Sequence, residues 1–220
     1  MHYYDCPCDE CRQASDSALH ERLITLIERL EQELERPPVK EYERALQWLA
    51  GVCGSYDAVM ALGTGPLRGE VPLPAEPRVA EVATLLRTLA ADLFSPEMEV
   101  AFLRGLVLVW TLDPGAVLSP VSASYVAAGV AWAIGEANGV VGSTGVTSPA
   151  IKRALGTPGG AAMYARPIRR ALIGLWEWGD GGSRLAAYGD PSILTSSTRR
   201  ALIRVRDRAL AARELDREAA

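Results

Sequence analysis

The stretch PAIKRALGTPGGAAMYARPIRRAL, residues 149–172, decides how this chain is read. It holds a short helix, a glycine-rich turn and a basic helix. Thr147 or Ser148 can cap the first helix, and Pro149 suits its first turn, where a missing N–H costs nothing. That helix runs from Pro149 to Leu155 and carries Lys152 and Arg153. The run Gly156-Thr157-Pro158-Gly159-Gly160 ends it and turns the chain. Ala161 to Leu175 predicts the next helix, with Arg166, Arg169 and Arg170. Pro167 leaves two readings open. Either one helix is kinked there, or the helix begins at Pro167 after a separate turn at Ala161 to Tyr164.

Before this stretch, Val121 to Asn138 predicts a long helix. Val121, Tyr125, Ala128, Trp132 and Gly135 share one face, with Val126, Val130 and Ile134 beside it. It is apolar almost all round, as a buried central helix is. Gly139 to Gly145 reads as a loop. On the other side, Trp176-Glu177-Trp178, then Gly179 to Gly182, then Ser183 to Tyr188 predict a strand, a turn and a second strand.

From Ser119 to Asp190 this order of elements resembles winged helix-turn-helix DNA-binding domains as a general class. The run Leu155-Gly156-Thr157-Pro158-Gly159-Gly160-Ala161-Ala162 is similar to the helix-turn-helix of DNA-repair alkyltransferases, where a Leu-Gly-x-Pro-Gly-Ala-Ala-Arg run introduces the DNA-binding helix. Ala162 stands where that family has its Arg. The Pro-Cys-His-Arg nucleophile motif is absent and no Cys follows Cys53. The resemblance therefore carries turn geometry and no chemistry. It implies a double-stranded DNA partner. Lys152, Arg153, Arg166, Arg169 and Arg170 would contact phosphates and base edges. The N–H groups of Gly159 and Gly160 would approach a phosphate, and Arg184 on the hairpin would reach the backbone or the minor groove.

Length and charge bound the alternatives. The 220 residues suffice for one large or two small domains, and 49% hydrophobic with 23% charged residues is ordinary for a globular protein. The net charge of −4 argues weakly against nucleic acid, but its distribution argues for it. Residues 1–118 carry 10 Lys and Arg against 19 Asp and Glu; residues 119–220 carry 13 against 8. An acidic half joined to a basic half hints at a nucleic-acid module. We expect a Cys-containing tail at 1–16, an acidic helical unit at 17–118 and a basic helix-turn-helix-like unit at 119–220. The expected fold class is mainly α, with a small β-hairpin and a C-terminal helix.

The tail holds Cys6, Cys8 and Cys11 within six residues. Clustered thiols suit a zinc ion, with His2, His20 or Cys53 as a fourth ligand, although the second Cys pair of a zinc ribbon is missing. An exposed reduced tail is the plainer reading, so either no cofactor or zinc is expected. Leu19, Leu23, Leu26, Ile27, Leu30 and Leu34 stripe an amphipathic helix ending before Pro37-Pro38, which would form core or pair with its copy in a homodimer. Further helices are expected at Val39 to Leu62, Arg78 to Phe94 and Ser95 to Asp113, with residues 63–77 as a linker or long loop. A final helix, capped by Thr195, Ser196 or Ser197, carries a basic stripe of Arg200, Arg204 and Arg208. That stripe would touch phosphate or pair with the acidic half.

Between Asp113 and Lys152 the one charge is Glu136, but Pro and Gly interrupt the run, so no membrane span is expected. With no secretory signal in view, the expected location is the cytoplasm. The only histidines are His2 and His20, and no hydrolase triad, metal-hydrolase motif or dinucleotide fingerprint is present, so enzymatic function is not expected. The leading expectation is a DNA-binding transcriptional regulator. The alternative is a helical adaptor that binds another protein, with a zinc-stabilised tail.

Overall fold

The computed structural model describes residues 20–29, 39–173 and 188–219. The chain divides into two compact units, Met1–Lys40 and Glu41–Ala220. In the first, residues 20–29 form helix α1, and every residue of it is exposed.

The second unit is built of helices joined by turns and loops among its described residues. Its helices are α2 (Glu41–Cys53), α3 (Tyr56–Met60), α4 (Pro77–Leu93), α5 (Pro96–Leu112), α6 (Gly115–Leu118), α7 (Ala123–Ala137), α8 (Ser148–Leu155), α9 (Ala161–Ile173) and α10 (Ser196–Ala219), with a 3₁₀ turn at Pro191–Ile193 before α10. Among the described residues there is no strand, only an isolated bridge between Val141 and Val146. This corrects the expected β-hairpin. Its residues 176–187, Arg184 included, lie outside the described residues. Tyr188, which should close the second strand, is instead buried against α7 and donates its hydroxyl to the Ala133 carbonyl, 3.4 Å away.

The helix starts follow the expected chemistry. The Ser95 hydroxyl accepts from the Met98 N–H at 3.3 Å, and Pro96 occupies the first turn of α5, where it blocks no hydrogen bond. Pro77 does the same for α4. The helix expected over Val39 to Leu62 is broken in two. Gly54 takes a positive φ of 85°, and Ser55 caps a new helix by accepting from Ala58 N at 3.1 Å. The break has a long-range cause: a Cβ on Gly54 would stand 2.2 Å from the Gly189 carbonyl oxygen, far along the chain. Only a glycine admits both the left-handed backbone and that approach.

Helix α7 is the centre of the unit. From Val126 to Ala137 every residue but Glu136 is buried. It packs against α4, α5, α8 and α9. The boundary expected near residue 118 thus falls inside one compact body. Residues 63–77 are not a free linker either. The Leu67 N–H donates to Glu97 at 2.9 Å, the Arg104 guanidinium reaches the Arg68 carbonyl at 3.5 Å, and Arg199 donates to the Gly65 carbonyl. Helix α10 closes the molecule along α2, where the Tyr42 hydroxyl donates to Asp216 at 2.9 Å. Its Arg206 caps the last carbonyls of α3, Val59 and Met60, at 3.2 Å each. No helix among the described residues is long and apolar enough to cross a membrane.

Candidate nucleic-acid interface

Helices α8 and α9 and their turn form the unit that the sequence singled out. Gly156 ends α8 in the left-handed conformation, at φ 63° and ψ 28°, as a helix C-cap glycine does. Thr147 occupies the cap position of α8 without a side-chain bond. Ser148 instead reaches across the turn and accepts from Ala162 N at 3.4 Å, at the start of α9. The turn is tied internally by the Thr157 hydroxyl donating to the Gly159 carbonyl at 2.9 Å.

Helix α9 is continuous through Pro167, so it does not begin there after a separate turn. Proline there removes one N–H and crowds the carbonyl four residues back, that of Met163. Both residues are on the exposed side, where water can satisfy the freed carbonyl.

Contacts between α7 and α9 advance together along both helices. Tyr125 stacks on Tyr164 with ring centroids 4.6 Å apart, Gly129 faces Tyr164 and Ile168, and Glu136 meets Arg169. A Cβ at Gly129 would lie 2.3 Å from the Tyr164 carbonyl oxygen, so this glycine sets how closely the two backbones approach.

The packing sorts the expected contact residues. Ala161, Ala165, Ile168 and Leu172 are buried, while Ala162, Met163, Arg166, Pro167 and Arg170 are exposed. Lys152 and Arg153 are exposed on the last turn of α8. None of Lys152, Arg153, Arg166 and Arg170 pairs with an acid among the described residues. Arg200 and Arg204 are exposed too, with Arg200 Nε donating back to the Ser196 carbonyl at 3.3 Å. Their helix packs along α2 rather than along α8 or α9.

Two expectations change. Arg169 is turned inward, where it pairs with the Glu136 carboxylate; their side chains are only 25% and 27% exposed. The Trp132 indole N–H donates to the other oxygen of Glu136 at 2.7 Å, and the Tyr188 hydroxyl adjoins Arg169. Burial raises the Tyr188 phenol above its ordinary range, so it stays a neutral donor. One signal in the sequence pointed to this: a lone Glu in a long apolar run needs a cation brought to it. The second change is at the turn. The Gly159 N–H already donates to the Tyr164 hydroxyl at 3.1 Å, and Gly160 is partly covered by Ser148. Gly159 therefore has no spare donor for a phosphate, and Tyr164 is the residue that the sequence reading missed.

The thiols Cys6, Cys8 and Cys11 lie outside the described residues. Among the described residues no group of His, Cys, Asp and Glu is placed to hold a metal. Cys53 is buried in α2, and burial pushes its thiol up to about 11. Enclosed in this way, Cys53 packs as a small core hydrophobe.

No protein-family model, curated protein or solved structure matches the chain.

Proposed function

We propose that this chain is a DNA-binding regulator that grips duplex DNA with the α8–turn–α9 unit. The observation that carries the reading is the pairing of a locked face with an open one. One side of α9 is fixed to α7 by Gly129 and the Glu136–Arg169 pair. The opposite side, with the end of α8, presents Lys152, Arg153, Arg166 and Arg170, each exposed and without an acidic partner among the described residues. Cations left unpaired on a rigid support suit phosphates, which position a protein on DNA. Arg200, Arg204 and Arg208 on α10 add exposed charge of the same sign. The test is fluorescence anisotropy of a labelled random-sequence duplex at low and moderate salt. Binding that weakens steeply with salt supports the reading, and no binding at low salt refutes it.

A second reading, an adaptor that docks on another protein or on its own copy, draws on α1. There Leu23, Ile24, Leu26 and Ile27 are between 43% and 54% exposed. Four large exposed apolar side chains on one short helix support such a docking surface. Light scattering across a concentration series, beside a variant with Leu23 and Ile27 changed to Ser, separates self-association from a monomer.

A further inference from the structure

We propose that Met163 and Arg166 are the base-reading residues, and that their target is the major groove of duplex DNA where a thymine and a guanine occupy neighbouring base pairs. The inference rests on the DNA-binding reading above and assigns a distinct role within it.

The exposed side of α9 is not uniformly basic. Its last part, at Arg170, is a cation alone. Its first half carries Ala162 and Met163 beside Arg166, and Met163 is 62% exposed. A large apolar side chain adds nothing to phosphate binding. It does suit the one apolar group on a base edge, the thymine methyl, while arginine suits the paired acceptors of guanine. In a helix-turn-helix the N-terminal residues of the second helix are the ones that enter the major groove. Met163 and Arg166 are three residues apart, so they share a face and are offset by about 4.5 Å along the axis. That offset is close to the step of about 3.4 Å between base pairs. The small side chain of Ala162 leaves room for the helix start to approach the bases.

The turn holds Met163 in place. A Cβ on Gly159 would meet the Met163 terminal methyl at 2.3 Å and the Tyr164 hydroxyl at 3.0 Å. Met163 therefore lies back over Gly159, whose N–H is held by Tyr164. The geometry also favours duplex DNA over unpaired strands. Single-strand binders offer open aromatic rings for bases to stack on. Among the described residues of the α7–α9 junction, the tyrosines Tyr125 and Tyr164 stack on each other instead. An RNA duplex has a major groove too narrow for side chains to read, and it lacks the thymine methyl.

The experiment starts from a duplex sequence enriched by the full chain from a random pool. Each thymine is replaced in turn by deoxyuridine, which removes only the methyl group, and each guanine by a deazaguanine lacking the N7 acceptor. At one position deoxyuridine should weaken the wild type about fourfold, the weight of one methyl group leaving an apolar contact. The same replacement should have no further effect on Met163→Ala. Loss of N7 at a neighbouring guanine should cost about tenfold in the wild type and nothing further in Arg166→Ala. Both residues are exposed, so neither variant threatens the fold. If the wild type binds with salt-sensitive affinity but no deoxyuridine weakens it, or Met163→Ala responds to deoxyuridine as the wild type does, this assignment is wrong and the DNA-binding reading stands. If no sequence is enriched although binding is salt-sensitive, this assignment is likewise wrong; if no salt-sensitive binding occurs at all, the DNA-binding reading itself falls.

Discussion

Glu136 on α7 holds the guanidinium of Arg169 on α9, with Trp132 donating to the same carboxylate. The pair joins the two helices at the end of their contact, away from the open basic face. Arg169 and Arg170 are neighbours in sequence, yet they do different work. Changing Arg169 to Ala leaves a mostly buried carboxylate without its cation, which should lower stability by about 1–3 kcal/mol. It removes no phosphate contact, so the slope of log affinity against log salt should stay as in the wild type. Arg170→Ala should leave stability within about 0.5 kcal/mol and reduce that slope by about 0.9. Urea denaturation and salt titration of the two variants separate these roles.

Gly129 sets the close approach at the same junction. The methyl of Gly129→Ala would overlap the Tyr164 carbonyl, which is backbone and cannot rotate away. Alanine favours a helix more than glycine does, by about 1 kcal/mol, but overpacking a core costs about 1–3 kcal/mol. Net destabilisation is expected, with a lower thermal midpoint. A raised midpoint would mean that α7 and α9 do not approach so closely.

The helix pattern was largely legible because it is local. The stripes of α4 and α5, the Ser95-Pro96 start and the apolar length of α7 all follow from neighbours in sequence. What was not legible depends on partners far apart. The break at Gly54 is set by the Gly189 carbonyl. The inward turn of Arg169 is set by Glu136, thirty-three residues earlier. Residues 63–77 have a linker's composition, but Glu97, Arg104 and Arg199 pin them to the body. The exposure of Lys152, Arg153, Arg166 and Arg170 was legible because exposure on an amphipathic helix is periodic. The use of the Gly159 N–H by Tyr164 was missed because it needs the turn's three-dimensional shape.

Glu97 gives the chain a pH dependence. Its carboxylate sits at the start of α10, where it accepts from the Ser196 N–H at 2.6 Å, the Ser196 hydroxyl at 2.9 Å and the Leu67 N–H at 2.9 Å. Desolvation alone would raise its pKa. These hydrogen bonds and the Arg199 charge outweigh that and hold it below the ordinary carboxylate range. A carboxyl with a lowered folded pKa stabilises fully above its unfolded value, about 4.3, and loses that contribution as pH falls through the folded value. Glu97→Gln should therefore cost about 1–2 kcal/mol near neutral pH. The gap from wild type should close in strong acid. Urea midpoints followed down the pH scale test this, and a gap constant with pH would contradict it.

DNA binding by this chain requires the open cations of α8 and α9 to meet phosphate. The most direct measurement is the salt dependence of duplex DNA binding by the wild type and by a variant with Lys152, Arg153 and Arg170 changed to Ala. Three lost phosphate contacts should reduce the slope of log affinity against log salt by about 2.7. The circular dichroism and thermal midpoint should be unchanged, because all three side chains are exposed. Equal slopes for the two proteins, or no salt-sensitive binding by the wild type, would contradict the account.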